Sequence, residues 1–296
     1  MPAPAPGPGQ LLVRVRATSA NPFDFQRRRG DYRDAETLPA IIGVDVSGVV
    51  EEAGPGACDF APGDEVYAML RPFGASGSYA QYAVVDEAIV ARKPASLSHE
   101  EAACVPCAGG TAWEALVSRG GLQVGESVLV HAGAGGVGSF AVQIAKAAGA
   151  RVLATCSSRS AEFVEGLGVD RVIDYTREDY VEAVNAEGGV DLVFDTIGGD
   201  AIARAGEVLR RYGRLVSIVD IPTPQSLLAY WDKNLTAHFV FTPPQRSTLD
   251  ALRDLLERVQ VRPLVDSVLP LSRAAEAHER LETGGVRGKI VLDPDR

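Results

Sequence analysis

Cysteine is scarce in this chain: four residues in 296, at Cys58, Cys104, Cys107 and Cys156. That density excludes a secreted disulfide scaffold and leaves reduced thiols in a cytoplasmic protein as the expectation. Basic residues are also short, with 29 Lys and Arg against 39 Asp and Glu and a net charge of −10. A nucleic-acid partner wants a basic face, so that class is excluded; acidic excess more often serves solubility. No long chargeless apolar run is present. The longest is a glycine-broken stretch around residues 132–145, which does not read as a membrane span. Residues 2–9 carry neither a positive n-region nor an apolar core, so no signal peptide is expected there. The four histidines (His99, His131, His238, His278) are scattered without metal-ligand spacing and read as core or surface residues.

What the chain does carry is concentrated at residues 126–150. Residues 127–131 form a short apolar strand run, after which Gly133, Gly135 and Gly138 spell G-x-G-x-x-G. From Gly136 and Val137 onward, apolar residues at Phe140, Ala141, Ile144 and Ala145 mark one face of a helix. In a strand–turn–helix the three glycines permit, in order, a tight turn, close approach of a pyrophosphate, and close packing of helix on strand. The free N–H groups at the helix start then meet phosphate. Gly133, Gly135, Gly136, Val137 and Gly138 are therefore candidate dinucleotide contacts.

A chain of 296 residues exceeds what one core usually holds, so two domains are expected. Residues 11–16, 40–53, 64–70 and 77–90 are β-rich with Gly/Pro turns between them, the texture of a small antiparallel barrel or sandwich. Asn21-Pro22-Phe23-Asp24 reads as a turn. Near Ser98 the texture becomes helical, with Ser98 and Glu101 placed as a capping box. Strands and helices then alternate from residue 127 to 219, which predicts a doubly wound parallel sheet; 235–241 offers a further strand. Residues 248–259 and 274–281 read as amphipathic helices, and 289–292 as a closing strand.

The strand after the glycine motif ends near Ser157-Ser158-Arg159, where an NAD site normally places an acid; none occurs until Glu162. Two hydroxyls and a guanidinium suit a 2′-phosphate, so NADPH is the expected cofactor. The competing reading has Arg159 merely solvating the next helix. Thr196, within the Asp195-Thr196-Ile197-Gly198-Gly199 strand end, is expected beside the cofactor, as are Val219, Phe239 and Phe241 at the ends of later strands. The last three, being apolar, more often report core. Trp113 and Trp231 read as core or interface, and the basic run at 27–29 as a solvated face.

Seven motifs occur in one order: NPFD from Asn21, GVDVSGVV from Gly43, GDEVYAM from Gly63, GSYAQYAVV from Gly77, GGTAWEAL from Gly109, the glycine motif, and RGKIVL from Arg287. Over nearly its whole length the chain resembles the medium-chain dehydrogenase/reductase superfamily, in particular its zinc-independent quinone oxidoreductases, the zeta-crystallin-like branch. The resemblance implies a GroES-like, mostly antiparallel β catalytic domain at residues 1–108 and 242–296, with a Rossmann NADP-binding domain at 109–241. It also implies nicotinamide-side roles for Asn21, Asp24 and Thr111, a cofactor contact for Tyr175, and a homodimer. Asn21 would donate to a substrate oxygen, and Asp24 would orient water or the nicotinamide ribose. Tyr32 is the candidate proton donor or aromatic wall. The residue types alone are equally served by an Asx turn at 21–24, a loop tyrosine at 32 and a hydroxyl turned back on its own helix at 111.

In zinc-dependent relatives the catalytic metal is held by a Cys, the His of G-H-E and a second Cys. The matching positions here are Asn21, Val44 within Gly43-Val44-Asp45, and Cys107, so no zinc is expected. Without that Lewis acid the substrate must take hydride readily, as quinones and activated α,β-unsaturated carbonyls do. An NADPH-dependent reductase of such small molecules is the reading; an enoyl-thioester reductase or a non-catalytic NADPH-binding protein are the alternatives. Family members carry one more strand hairpin ahead of the proline run with which this chain begins. Either the start is assigned late or that strand pair is absent, which would leave a sheet edge open.

Overall fold

The computed structural model describes residues 3–32, 38–73, 76–223, 227–258 and 260–296. Pro2 in the proline run and Val259 at the end of the helix expected over 248–259 lie outside them. The chain opens with β1 (Gln10–Ser19), α1 (Pro22–Arg29), β2 (Asp45–Ala53), β3 (Glu65–Met69), β4 (Tyr82–Asp86) and β5 (Ala91–Arg92). Two short helices follow, α2 (His99–Ala103) and α3 (Pro106–Trp113). The alternating part runs β6 (Ser127–Val130), α4 (Gly136–Ala147), β7 (Arg151–Cys156), α5 (Ala161–Glu165), β8 (Arg171–Asp174), α6 (Tyr180–Ala186) and β9 (Val190–Asp195). It continues with α7 (Ala201–Val208), β10 (Leu209–Ser217), α8 (Leu228–Lys233) and β11 (Thr236–Phe239). The chain closes with α9 (Arg246–Glu257), β12 (Val265–Pro270), α10 (Ala274–Thr283) and β13 (Lys289–Asp293).

Two compact units result. One comprises Met1–Gly110, Pro243–Val259 and Pro263–Arg296, the other Thr111–Thr242 with Gln260–Arg262. The first unit is built on a seven-stranded sheet in the order β12-β13-β1-β2-β3-β5, with β4 also pairing β1. Every pair in it is antiparallel except β12 with β13. Leu11, Val13 and Val15 of β1 alternate into a core shared with Val46, Val66 and Val85, the period of a half-buried strand.

The second unit holds a six-stranded sheet in the order β11-β10-β9-β6-β7-β8, with every neighbouring pair parallel. Counted along the chain this is the 3-2-1-4-5-6 order of a doubly wound dinucleotide fold, and β6 and β9 flank its switch point. All four residues of β6 are buried, because helices cover both faces of such a sheet. Leu129, Leu153, Ile173, Val193 and Leu215 form its central layer.

Several elements differ from expectation. Asn21-Pro22-Phe23-Asp24 is not a free turn but the entrance of α1, with Asn21 as N-cap and Pro22 in the first turn; the same residue types serve turns and helix starts. α7 stops at Val208 and β10 follows at once from Leu209, with a register break before Arg214. No linker separates the two. The Lys233 ammonium instead takes up the helix-end carbonyls of Gly206 (2.7 Å) and Glu207 (3.2 Å) together with that of Leu209 (2.9 Å), the role a C-cap otherwise fills. β12 and α8 had no sequence signal of their own. Trp231, read as core or interface, is 86% exposed on α8 and so outside any core, while Arg27 of the basic run, expected on a solvated face, is buried against the Phe23 ring.

Candidate functional site

In the second unit the glycine turn is tied to β7 by the Gly133 amide, which donates to the Thr155 carbonyl (2.9 Å). Ala132 turns the chain with φ 50°, and the Gly135 amide returns to the Ala132 carbonyl (2.9 Å). Gly138 is forced: a Cβ there would lie 2.1 Å from the Ala132 carbonyl oxygen. At Gly135 a Cβ would meet nothing closer than 3.4 Å. No side chain caps the start of α4, so its first amides face outward over a glycine-lined turn, the arrangement that receives phosphate oxygens.

The other expected residues of this unit stand on neighbouring strand ends. Ser157 is half-buried after β7, and Ser158 and Arg159 are exposed. The Ser158 hydroxyl donates to Asp174 Oδ2 and lies 2.9 Å from Thr176 Oγ1. Tyr175, next along, is exposed. After β9, fully buried Asp195 accepts the amides of Ile197 (2.9 Å) and Gly198 (3.0 Å) and the Ser217 hydroxyl (2.7 Å). That carboxylate shapes the loop without facing solvent. The Thr196 hydroxyl donates to the His131 carbonyl (2.8 Å), so its side chain braces the glycine turn. Val219, Phe239 and Phe241 are all exposed rather than core, and Thr111 is buried within α3. Burial pushes the His131 imidazole down to about 4, keeping it neutral behind the turn.

The first unit gathers a second set of polar side chains around the start of α1. Asp24 Oδ2 accepts the Asn21 amide (2.9 Å), the returning half of a capping box. Asn21 Nδ2 donates to Asp45 Oδ2 (2.8 Å), which also accepts the Ser19 hydroxyl (2.5 Å); Asp45 Oδ1 accepts the Cys107 amide (2.7 Å). The Lys289 ammonium from β13 completes the group, bonding Asn21 Oδ1 and the Ala20 carbonyl (3.1 Å) at 3.5 Å from Asp45 Oδ2. Asp45 and Lys289 are both buried. On the other side, the Tyr79 hydroxyl lies 3.4 Å from Asp24 Oδ2 and 3.1 Å from His278 Nε2. Asp24 Oδ1 is buried with no hydrogen-bond partner among the described residues. Burial first, and then the Asp45 charge, raise the Asp24 carboxyl to about 7, so near neutral pH it can hold or release a proton.

Of the three expected catalytic residues, Asn21 and Asp24 are thus joined in one network. Tyr32 stands in an aromatic group with Phe23 (5.1 Å) and Phe73 (5.6 Å), its hydroxyl donating to Gln26 Oε1 (3.3 Å). Sequence reasoning missed Ser19, Asp45, Tyr79, His278 and Lys289 as site residues. Asp45, Tyr79 and Lys289 do fall inside three of the seven ordered motifs, and an acid within an apolar strand run was the available signal. It also passed over the C-x-x-C spacing of Cys104 and Cys107. Neither forms a disulfide; the Cys104 thiol is buried, bonds the Glu100 carbonyl (3.3 Å) and is pushed up to about 12 by burial, an unreactive state.

The Asp24 carboxyl holds its proton more tightly in the folded chain, up to about 7, than its ordinary value of 3.8. This contribution to stability is therefore fully present at low pH and is lost as pH rises from about 4 to about 7. Unfolding by urea at a series of pH values should show that decline, at most about 1.4 kcal/mol per pH unit, flattened in Asp24→Asn. A variant keeping the wild-type slope would assign the titration to another group.

Comparison with known proteins agrees with these two units. Residues 7–95 match the model of the alcohol dehydrogenase GroES-like domain, and residues 167–292 that of a zinc-binding dehydrogenase. The chain is 34% identical to the mitochondrial NAD(P)H oxidoreductase RTN4IP1 of Danio rerio, over 96% of this chain and 83% of that protein. It is 36% identical to the chloroplastic NADPH-dependent alkenal/one oxidoreductase of Arabidopsis thaliana, over 98% and 74%. Among solved structures, the quinone oxidoreductase from Coxiella burnetii superposes with a TM-score of 0.90 at 33% identity, covering 99% of this chain and 93% of that one. With the doubly wound sheet, the glycine turn and the mostly antiparallel unit all in place, the chain belongs to the medium-chain dehydrogenase/reductase superfamily, among its quinone and alkenal oxidoreductases.

Proposed function

We propose that this protein is an NADPH-dependent reductase that transfers hydride to quinones or activated α,β-unsaturated carbonyls without zinc. The observation that carries the reading is the uncapped start of α4 over the Gly133–Gly135–Gly138 turn, where a Cβ at Gly138 would strike backbone. These residues fit a dinucleotide pyrophosphate; bound there, the nicotinamide supplies hydride. The names of the Arabidopsis and Coxiella relatives support the substrate classes. Asn21, expected to donate to a substrate oxygen, has its side-chain amide bonded to Asp45 Oδ2, the Ser19 carbonyl and Asp24 Oδ2 instead, so its part is to hold the Asp24 carboxyl in place. Asp24, near its midpoint at neutral pH and wired to Tyr79 and His278, supplies the proton that neutralises the reduced oxygen.

The zinc-free part of the reading rests on chemistry in the first unit. Of the three positions that hold the metal in zinc-dependent relatives, one is the buried apolar Val44. The oxygens of Asn21 and Asp45 are occupied by the Lys289 ammonium and by hydroxyl and amide donors. That donor set does not fit a tetrahedral zinc site. We also place the protein in the cytoplasm, because its four cysteines form no disulfide. Among the described residues no helix is long and apolar enough to cross a membrane. Fractionation of the source cells would test the compartment directly, since the Danio and Arabidopsis relatives carry organelle names.

A homodimer is part of the same proposal. β11 is an edge strand of the parallel sheet with Phe239 exposed on it, and Ile221 beyond β10 and Leu228 and Trp231 on α8 are exposed as well, apolar surface that a second copy would cover.

Three measurements test the reading. NADPH oxidation should be supported by benzoquinone, naphthoquinone or a short alkenal and not by enoyl thioesters; tight NADPH binding with no turnover on any of them would leave a binding protein. Arg159→Ala should weaken NADPH binding by about 1.5–3 kcal/mol, the worth of a hydrogen bond to a charged group, with NADH little changed. Equal losses for both would refute recognition of the 2′-phosphate by Arg159. In sedimentation the wild type should run as a dimer that the double variant Ile221→Glu, Trp231→Glu splits; a wild-type monomer at micromolar concentration would sink the dimer.

A further inference from the structure

The end of β8 brings a fixed negative charge to the strand end expected to meet the adenosine ribose. β7 and β8 run parallel with Cys156 level with Asp174, so residues 157–159 and 174–177 leave adjacent strands side by side. Asp174 Oδ2 receives the Ser158 hydroxyl. Oδ1 receives the Thr176 hydroxyl (2.7 Å) and the Thr176 amide (3.0 Å). The Arg177 guanidinium is 3.5 Å away, but its side chain is 78% exposed, against 15% for Asp174. Its countercharge is therefore largely screened by solvent.

One of the donors that suit a phosphate, the Ser158 hydroxyl, is in this way already turned toward a carboxylate, as is its neighbour Thr176. A hydroxyl has one proton to give, so Ser158 serves either Asp174 or an incoming phosphate oxygen. A phosphate oxygen accepting the Ser158 proton would sit one hydroxyl away from the Asp174 charge, a repulsion that an uncharged ribose hydroxyl does not meet. The ribose hydroxyl has, on the contrary, a proton that a carboxylate accepts.

We propose that Asp174 sets the balance between the two nicotinamide dinucleotides, drawing Ser158 and Thr176 away from a 2′-phosphate and keeping the site open to the unphosphorylated form. This rests on the dinucleotide reading of the glycine turn. Affinities for NADPH and NADH, measured by calorimetry at one fixed ionic strength, test it in the wild type and in Asp174→Asn and Asp174→Ala. The ratio of NADPH to NADH affinity should rise about tenfold in both variants, as expected when one like charge a few ångströms from the phosphate is removed. NADH binding reports whether each variant is folded. A ratio that falls or stays put in a variant that still binds NADH would overturn the role of Asp174 while leaving the dinucleotide site intact. A wild-type protein that binds neither nucleotide would overturn the dinucleotide reading, and this inference with it.

Discussion

The ion pair between Asp45 and Lys289 holds the first unit to its shape. It joins β2 to the last strand across 244 residues of sequence, and both carboxylate oxygens take donors from other segments: Oδ2 from Ser19 at the end of β1 and Asn21 at the cap of α1, and Oδ1 from the amide of Cys107 in the first turn of α3. Buried charges are costly unless every lone pair and proton is satisfied, and removing one partner of such a pair typically costs about 3–5 kcal/mol. The chain meets that condition by converging four segments on one carboxylate. The N-terminal and C-terminal segments of this unit are thereby made to fold together, although a whole second unit lies between them in sequence.

The same network places Asn21 and Asp24. The cap of α1 is held from outside the helix by Asp45 and Lys289, and from inside by the Asp24 carboxyl accepting the Asn21 amide. A side chain bonded on two sides has few rotamers left, so the start of α1 and the Asp24 carboxyl beside it are held in one arrangement. The orphaned Asp24 Oδ1 and the hydroxyl of Tyr79 keep the far side of that carboxyl polar in an otherwise packed region.

Legibility divided along physical lines. The glycine turn was readable because its determinants are local: strand, close approach, helix face, all within two dozen residues. The alternation of β and α elements from residue 127 was readable for the same reason, and with it the parallel sheet. Asn21-Pro22-Phe23-Asp24 was readable as punctuation but not as a helix start, since an Asn followed by Pro marks either. The onset of β10 was hidden because Leu209-Arg210-Arg211-Tyr212-Gly213 has three exposed residues in a row and Tyr212 at φ 64°, which breaks the period-two pattern. β12 was hidden because five of its six residues are only half-buried. The polar cluster was out of reach for a different reason. Ser19, Asp45, Tyr79, His278 and Lys289 acquire their meaning only through tertiary contact, and a lysine in a run such as RGKIVL has no local mark that says it will be buried.

Lys289 has one more implication. The positive charge at the heart of this unit is carried on a side chain, so it arrives with the polypeptide and is present at full occupancy from the moment the last strand docks. The charge can therefore leave the site only if β13 itself leaves the sheet, and the strand and the ion pair stand or fall together.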